Sequence, residues 1–176
     1  MRTFMKGLVK NSLAFLICTL AATFAFAQSA NFVTKIIDTQ KITYGQAAYF
    51  ICCDYGYIDE TDDESSAVSA LEENFPNMIN KLKIQQVDKV LSAKEFSFMC
   101  CQAWDIKSSL MYMIFQNQRY AFKQMKAKGY FAANTDPSST VDGRKVLYIV
   151  SDFAGDKKVE KKPTKASIST DFMISR

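Results

Sequence analysis

The chain has no histidine, and among its 176 residues there are only six glycines, three prolines and one tryptophan. Without histidine it lacks the commonest general base and the commonest metal ligand together. It has no glycine-rich phosphate loop and no Gly-x-Ser-x-Gly nucleophile elbow. Paired carboxylates do not occur in an informative setting either. The sequence therefore offers no catalytic residues, no metal site and no cofactor motif, and it reads as noncatalytic. The acidic run Asp59-Glu60-Thr61-Asp62-Asp63-Glu64 carries oxygen ligands but lacks the glycine and alternating spacing of a calcium loop, so it reads as a solvated loop.

Long apolar runs are scarce too. One occurs, at 13–26, preceded by Arg2, Lys6 and Lys10 and followed by Ala25-Phe26-Ala27 as a small-x-small cleavage site. This is the pattern of a secretory signal peptide over 1–27, shorter than the roughly 20 residues a bilayer span requires. Cys18 follows the bulky Leu16-Ile17, which disfavours lipidation. After cleavage no transmembrane span is expected, and the destination is the periplasm or the cell surface. Residues 28–41 then read as a linker, 42–155 as the folded domain and 156–176 as a disordered basic tail rich in Lys, Ser and Thr.

Excess charge of one sign is absent from the folded part. The leader takes three of the 22 basic residues and none of the 18 acidic ones, leaving +1, and the body 28–155 holds 13 basic against 15 acidic residues. No clustered basic face is evident, which argues against nucleic acid as a partner.

What the chain does have is a repeat. Two vicinal cysteine doublets, Cys52-Cys53 and Cys100-Cys101, lie in stretches that align at an offset of 48, and a third stretch follows the second at 50. Each stretch opens with a helix-start signal: Thr43 with Gln46, Ser92 with Glu95, and Asp142 before Gly143. Each continues with an apolar stripe at helical spacing: Ala48-Ile51-Cys52-Tyr55, Phe96-Met99-Cys100-Ala103 and Val146-Ile149-Val150-Phe153. Cys52 and Cys100 thus take the place of a core valine, Val150, and read as small buried apolar groups.

Two other readings of the cysteines stay open. An inter-repeat disulfide could join Cys53 with Cys101 or Cys52 with Cys100, and a thiol-redox protein is a third. Against redox chemistry, the doublets lie deep within helices and lack Cys-x-x-Cys spacing at a helix start.

Between the second and third stretches, Leu110, Met113 and Ile114 begin a second helical pattern. Ala121, Phe122 and Met125 continue it, and Gly129 ends it. Residues 134–139 read as a turn-rich loop. Pro76 should break or start a helix in the weaker counterpart between the first two stretches. The expectation is an all-α fold, with helix-loop-helix repeats in a small bundle.

The rhythm of "YAFKQMKAKGYFAANTDPSSTVDGRKVLYIVSDF", from Tyr120, resembles the S-layer homology module: an aromatic-led helix, a lysine-glycine turn, a polar loop and a capped helix. The resemblance spans roughly 42–155. It implies three repeats in a pseudo-trimeric helical bundle and noncovalent attachment to cell-wall polysaccharide. That family places a glycan-binding arginine at its helix starts. The matching stretches here offer a cation only at Lys94 and Arg144, so the resemblance implies a glycan role for those two.

Independently, the aromatics around the second repeat, with Arg119 among them, are the residue types that hold sugars or extended peptides. Trp104, Tyr112, Arg119 and Tyr120 are the candidates for ligand binding. The expected function is an exported binding or assembly module of the bacterial cell envelope, partnered by an envelope protein or a cell-wall glycan. The alternatives are polysaccharide anchoring of the S-layer homology type and thiol redox.

Overall fold

Thr43, Ser92 and Asp142 each cap a helix. Gln46 N–H donates to Thr43 Oγ1 at 3.3 Å while Thr43 N–H donates back to Gln46 Oε1 at 3.1 Å. The Ser92 N–H and hydroxyl donate to Glu95 Oε2 at 2.9 and 2.6 Å, and Lys145 N–H donates to Asp142 Oδ1 at 2.9 Å. In the computed structural model, residues 32–84 and 86–156 are described. The leader and its cleavage site lie outside the described residues, as does the tail beyond Asp156.

A helical segment, α1, covers 32–38, inside the stretch expected to be a linker. The chain divides into two units between Lys35 and Ile36, and only 32–35 of the first is described. The second unit contains α2 (Tyr44–Tyr55), α3 (Glu64–Asn74), α4 (Pro76–Leu82), α5 (Ala93–Ala103), α6 (Leu110–Phe115), α7 (Gln118–Ala127) and α8 (Gly143–Asp156). The fold is all-α, a helical bundle with no strand among the described residues. Pro76 starts α4, and Gly129 closes α7 at φ 88°, a left-handed conformation that glycine adopts without Cβ strain.

The three capped helices are joined in a ring. Their first N–H groups, which no helix can satisfy internally, are taken up by the segment leading into the next repeat. Tyr44 N–H donates to Lys89 O at 2.8 Å, Ala93 N–H to Ser139 O at 2.7 Å and Gly143 N–H to Thr39 O at 2.8 Å. The second residues follow suit, with Gly45 N–H to Val87 O at 2.7 Å and Lys94 N–H to Pro137 O at 3.0 Å. Ile42 and Leu91 tighten the centre: Ile42 N–H donates to Val141 O and Leu91 N–H to Ile42 O, each at 2.9 Å. Ile42, Leu91 and Val141 are all buried. First to second, second to third, and third back to first, the pattern is cyclic. It draws in Thr39, so the folded body begins before residue 42, and the fully buried Ile36 lies within the stretch expected to be a linker.

This ring also resets the repeat. The caps are spaced 49 and 50 residues apart, and the first spacing is one more than the 48 of the cysteine doublets. Cys100 does match Val150, but Cys52 matches Cys101. The side chains agree, because each faces the longer return helix of its own repeat. Cys52 Sγ donates to Ala67 O on α3 at 3.3 Å, and Gln124 Nε2 on α7 donates to Cys101 Sγ at 3.4 Å. All the stripe residues are buried except Tyr55, which is half-buried.

The helix expected from Leu110 onward is two. Gln116 takes φ 40° and ends α6, then Asn117 caps α7 by accepting the Tyr120 N–H at 3.1 Å. The break changes the phase of the pattern. Leu110, Met113 and Ile114 are exposed, whereas Ala121, Phe122 and Met125 are buried.

Candidate functional site

The far ends of the three first helices are held by aromatics. Trp104 is buried, donates from Nε1 to Asp54 Oδ2 at 2.8 Å and stacks on Phe153 with ring centres 5.6 Å apart. One side chain thus ties α2, the end of α5 and α8. Tyr55 donates its hydroxyl to Ala103 O, and Tyr130 donates to Asp152 while packing on Phe153. Tyr112 is fully buried, and its hydroxyl accepts from Gln102 Nε2 at 2.6 Å. Trp104 and Tyr112 are therefore core residues, not a ligand platform. Aromatic composition alone does not distinguish the two roles.

The remaining candidates separate. Arg119 and Lys94 line one cleft of about 580 Å³, at the junction between the first and second repeats. Tyr120, half-buried, stacks on the cleft residue Phe115 at 5.4 Å, with Lys123 Nζ 5.6 Å from its ring centre. Arg144 is exposed and lies outside this cleft. A smaller cleft of about 210 Å³ sits at the start of α8 and includes Lys145 instead.

Two further cations complete the larger cleft, Lys81 and Lys83, both from α4 and its cap. The lining carries four cations and no carboxylate. Lys83, Lys94 and Arg119 form no ion pair among the described residues. Two lining residues, Lys83 and Gln116, are non-glycine residues in left-handed conformation, at φ 55° and 40°. Both are the left-handed C-caps of their helices, α4 and α6, with the cap N–H groups donating to Ile79 O and Tyr112 O at 2.9 Å. Lys81 Nζ donates to Gln116 Oε1 at 3.3 Å and so links the ends of α4 and α6. Like charges gathered without counter-ions, beside an exposed ring, suit a multiply anionic ligand.

The four body cysteines are unpaired thiols. Burial pushes Cys52 up to about 12, with the neighbouring Cys53 adding to it. Burial likewise raises Cys53 to about 11; a Tyr49 hydrogen bond opposes this and the Glu60, Asp62 and Asp59 carboxylates add to it. Burial raises Cys101 to about 12 against the Gln124 hydrogen bond and the Lys128 charge, and it drives Cys100 well above the ordinary range. Thiolates are the reactive form, so these groups are poor nucleophiles near neutral pH.

The sign of the pH effect follows. Folded pKa values above an unfolded value of about 8.5 mean that the unfolded chain releases its protons first. The stability these thiols contribute is complete below about pH 8.5 and is lost as pH rises toward 11–12. Urea midpoints measured from pH 7 to 10.5 should hold level and then fall. Alkylation mapped by mass spectrometry should modify half-buried Cys53 first and Cys100 last of the four. A level midpoint to pH 10.5, or prompt labelling of Cys100, would contradict this.

No helix among the described residues is long and apolar enough to cross a membrane. Searches with protein-family models, curated proteins and solved structures give no match for this chain.

Proposed function

We propose that the chain is an exported, noncatalytic binding or assembly module of the bacterial envelope, and that its ligand is a multiply anionic glycan held in the cleft at the junction of the first two repeats. The observation that carries this is the set of four cations, Lys81, Lys83, Lys94 and Arg119, around one cavity with no carboxylate in its lining. Ligand chemistry follows from the lining. Cations supply attraction and phosphate- or carboxylate-type recognition, while Asn80, Gln116 and Phe115 supply hydrogen bonds and an apolar ring for sugar hydroxyls and faces. The cyclic joining of three repeats supports the narrower reading, cell-wall polysaccharide anchoring of the S-layer homology type. Lys94 stands at the helix-start position where that family carries its arginine. The buried, high-pKa thiols weigh against the redox alternative.

Charge reversal tests the cleft. Co-sedimentation with purified cell-wall material should be saturable and should weaken as salt is raised, because exposed charges are screened. Lys83→Glu with Arg119→Glu should weaken it about tenfold, equivalent to about 1.4 kcal/mol. Lys128→Glu, exposed and outside the cleft, should leave it within about twofold, less than half that free energy. Equal losses from both changes would show that net charge matters and the cleft does not.

A further inference from the structure

Beside the cleft, and sharing Phe115 with it, lies an exposed apolar surface. Helix α6 reads Leu-Met-Tyr-Met-Ile-Phe with no charged or amide residue, yet of its six side chains only Tyr112 is buried. Leu110 is 76% exposed, Ile114 65% and Phe115 56%, with Met111 and Met113 above half. Five exposed apolar residues on one six-residue helix are more than scattered surface exposure, and such patches mark interaction sites. Its surroundings are basic. Phe115 shares the cleft rim with Lys81, Lys83 and Arg119, and Lys123 lies over Tyr120, which stacks on Phe115.

We infer that α6 seats the protein on an anionic phospholipid surface, its aliphatic side chains entering the acyl boundary while the rim cations meet headgroup phosphates. Three observations choose this occupant. Leu110, Met111, Met113 and Ile114 have no hydrogen-bonding groups and no flat ring, so a glycan gains little from them. A second copy docking knob to knob would bring the like charges of two rims together, which costs association energy. An apolar element bordered by lysine and arginine is the composition of a segment lying in the membrane interface, where apolar burial and attraction to anionic lipid act together. The helix is too short to span a bilayer. This seat does not rest on the glycan reading, although the two share Phe115 and the rim cations Lys81, Lys83 and Arg119.

The test uses Phe115→Trp in the full chain, since its emission reports on α6 alone, against the constant signal of buried Trp104. Vesicles of phosphatidylglycerol should shift this emission to the blue, and brominated lipid should quench it. Vesicles of phosphatidylcholine should do so at least tenfold less effectively. Adding Met113→Asp and Ile114→Asp should abolish the response with helix content unchanged, because both side chains are exposed in the folded chain. Capture of the protein by any other segment would leave the α6 emission unmoved and would overturn the inference. So would a blue shift that grows with protein concentration in the absence of lipid, which would assign the knob to a second copy. Binding to lipid-free cell-wall material is measured separately, so either reading can fail alone.

Discussion

Gly143→Ala should destabilise the protein by about 3 kcal/mol and lower its Tm by about 10 °C. The expected sign is the opposite of the usual one, since alanine exceeds glycine by about 1 kcal/mol inside a helix. Here, however, a Cβ on Gly143 would stand 1.7 Å from the Ile36 carbonyl oxygen. That oxygen is backbone and has no rotamer by which to retreat. The obstruction falls where Gly143 N–H meets Thr39 O, the bond that closes the third repeat onto the first. Gly45→Ala provides the comparison: its nearest obstacle is Val87 Cγ1 at 2.5 Å, a side-chain methyl that can move. Thermal unfolding of both variants should rank Gly143→Ala well below Gly45→Ala. A stabilised Gly143→Ala would mean that the ring does not close as described.

Trp104→Ala should cost about 3–5 kcal/mol, the range for emptying a large buried aromatic site. The loss has two parts that can be separated. Trp104→Phe retains a ring against Phe153 but removes the donor to Asp54, a hydrogen bond to a charged group, worth about 1.5–3 kcal/mol. Asp54→Ala should cost less in the Trp104→Phe background than in the native chain, and the double-mutant cycle reads that coupling directly. Glycan binding per folded molecule should be unaffected in Trp104→Phe. A ligand platform would behave in reverse, losing binding with Tm intact.

Local chemistry made much of this fold legible. Thr43, Ser92 and Asp142 announce helix starts because a cap needs only a short polar side chain and a partner three residues on. The stripes through Ile51, Met99 and Ile149 announce the core faces because helical periodicity and burial are one pattern. The repeat was visible, but its register was not. The cysteine doublets suggest 48, while backbone bonds between segments nearly 50 residues apart fix 49, and no side-chain pattern reports those bonds. The single helix expected over 110–125 failed at Gln116, where a left-handed residue followed by a capping Asn117 resets the phase.

The site was less legible than the fold. Trp104 and Tyr112 carry the chemistry of a sugar platform, and only their burial shows that they hold the body together. Lys81 and Lys83 carry no signal in a body whose net charge is slightly acidic. Net charge does not record position: the carboxylates at 59–64 lie in the α2–α3 loop and at the first residue of α3, while four cations from three separate segments converge on one cleft. The sequence "INKLKI" holds the lysines, but nothing in it says that Lys94 and Arg119 will join them.

Co-sedimentation of Trp104→Phe and of Lys83→Glu with Arg119→Glu, side by side on purified cell-wall material at two salt concentrations, tests the division of labour between core aromatics and cleft cations. The cleft reading predicts that Trp104→Phe binds like the native chain and that the charge-reversed variant loses about tenfold at low salt, with little left to lose at high salt. Native-like binding by the charge-reversed variant would contradict the reading and remove the cleft as the functional site.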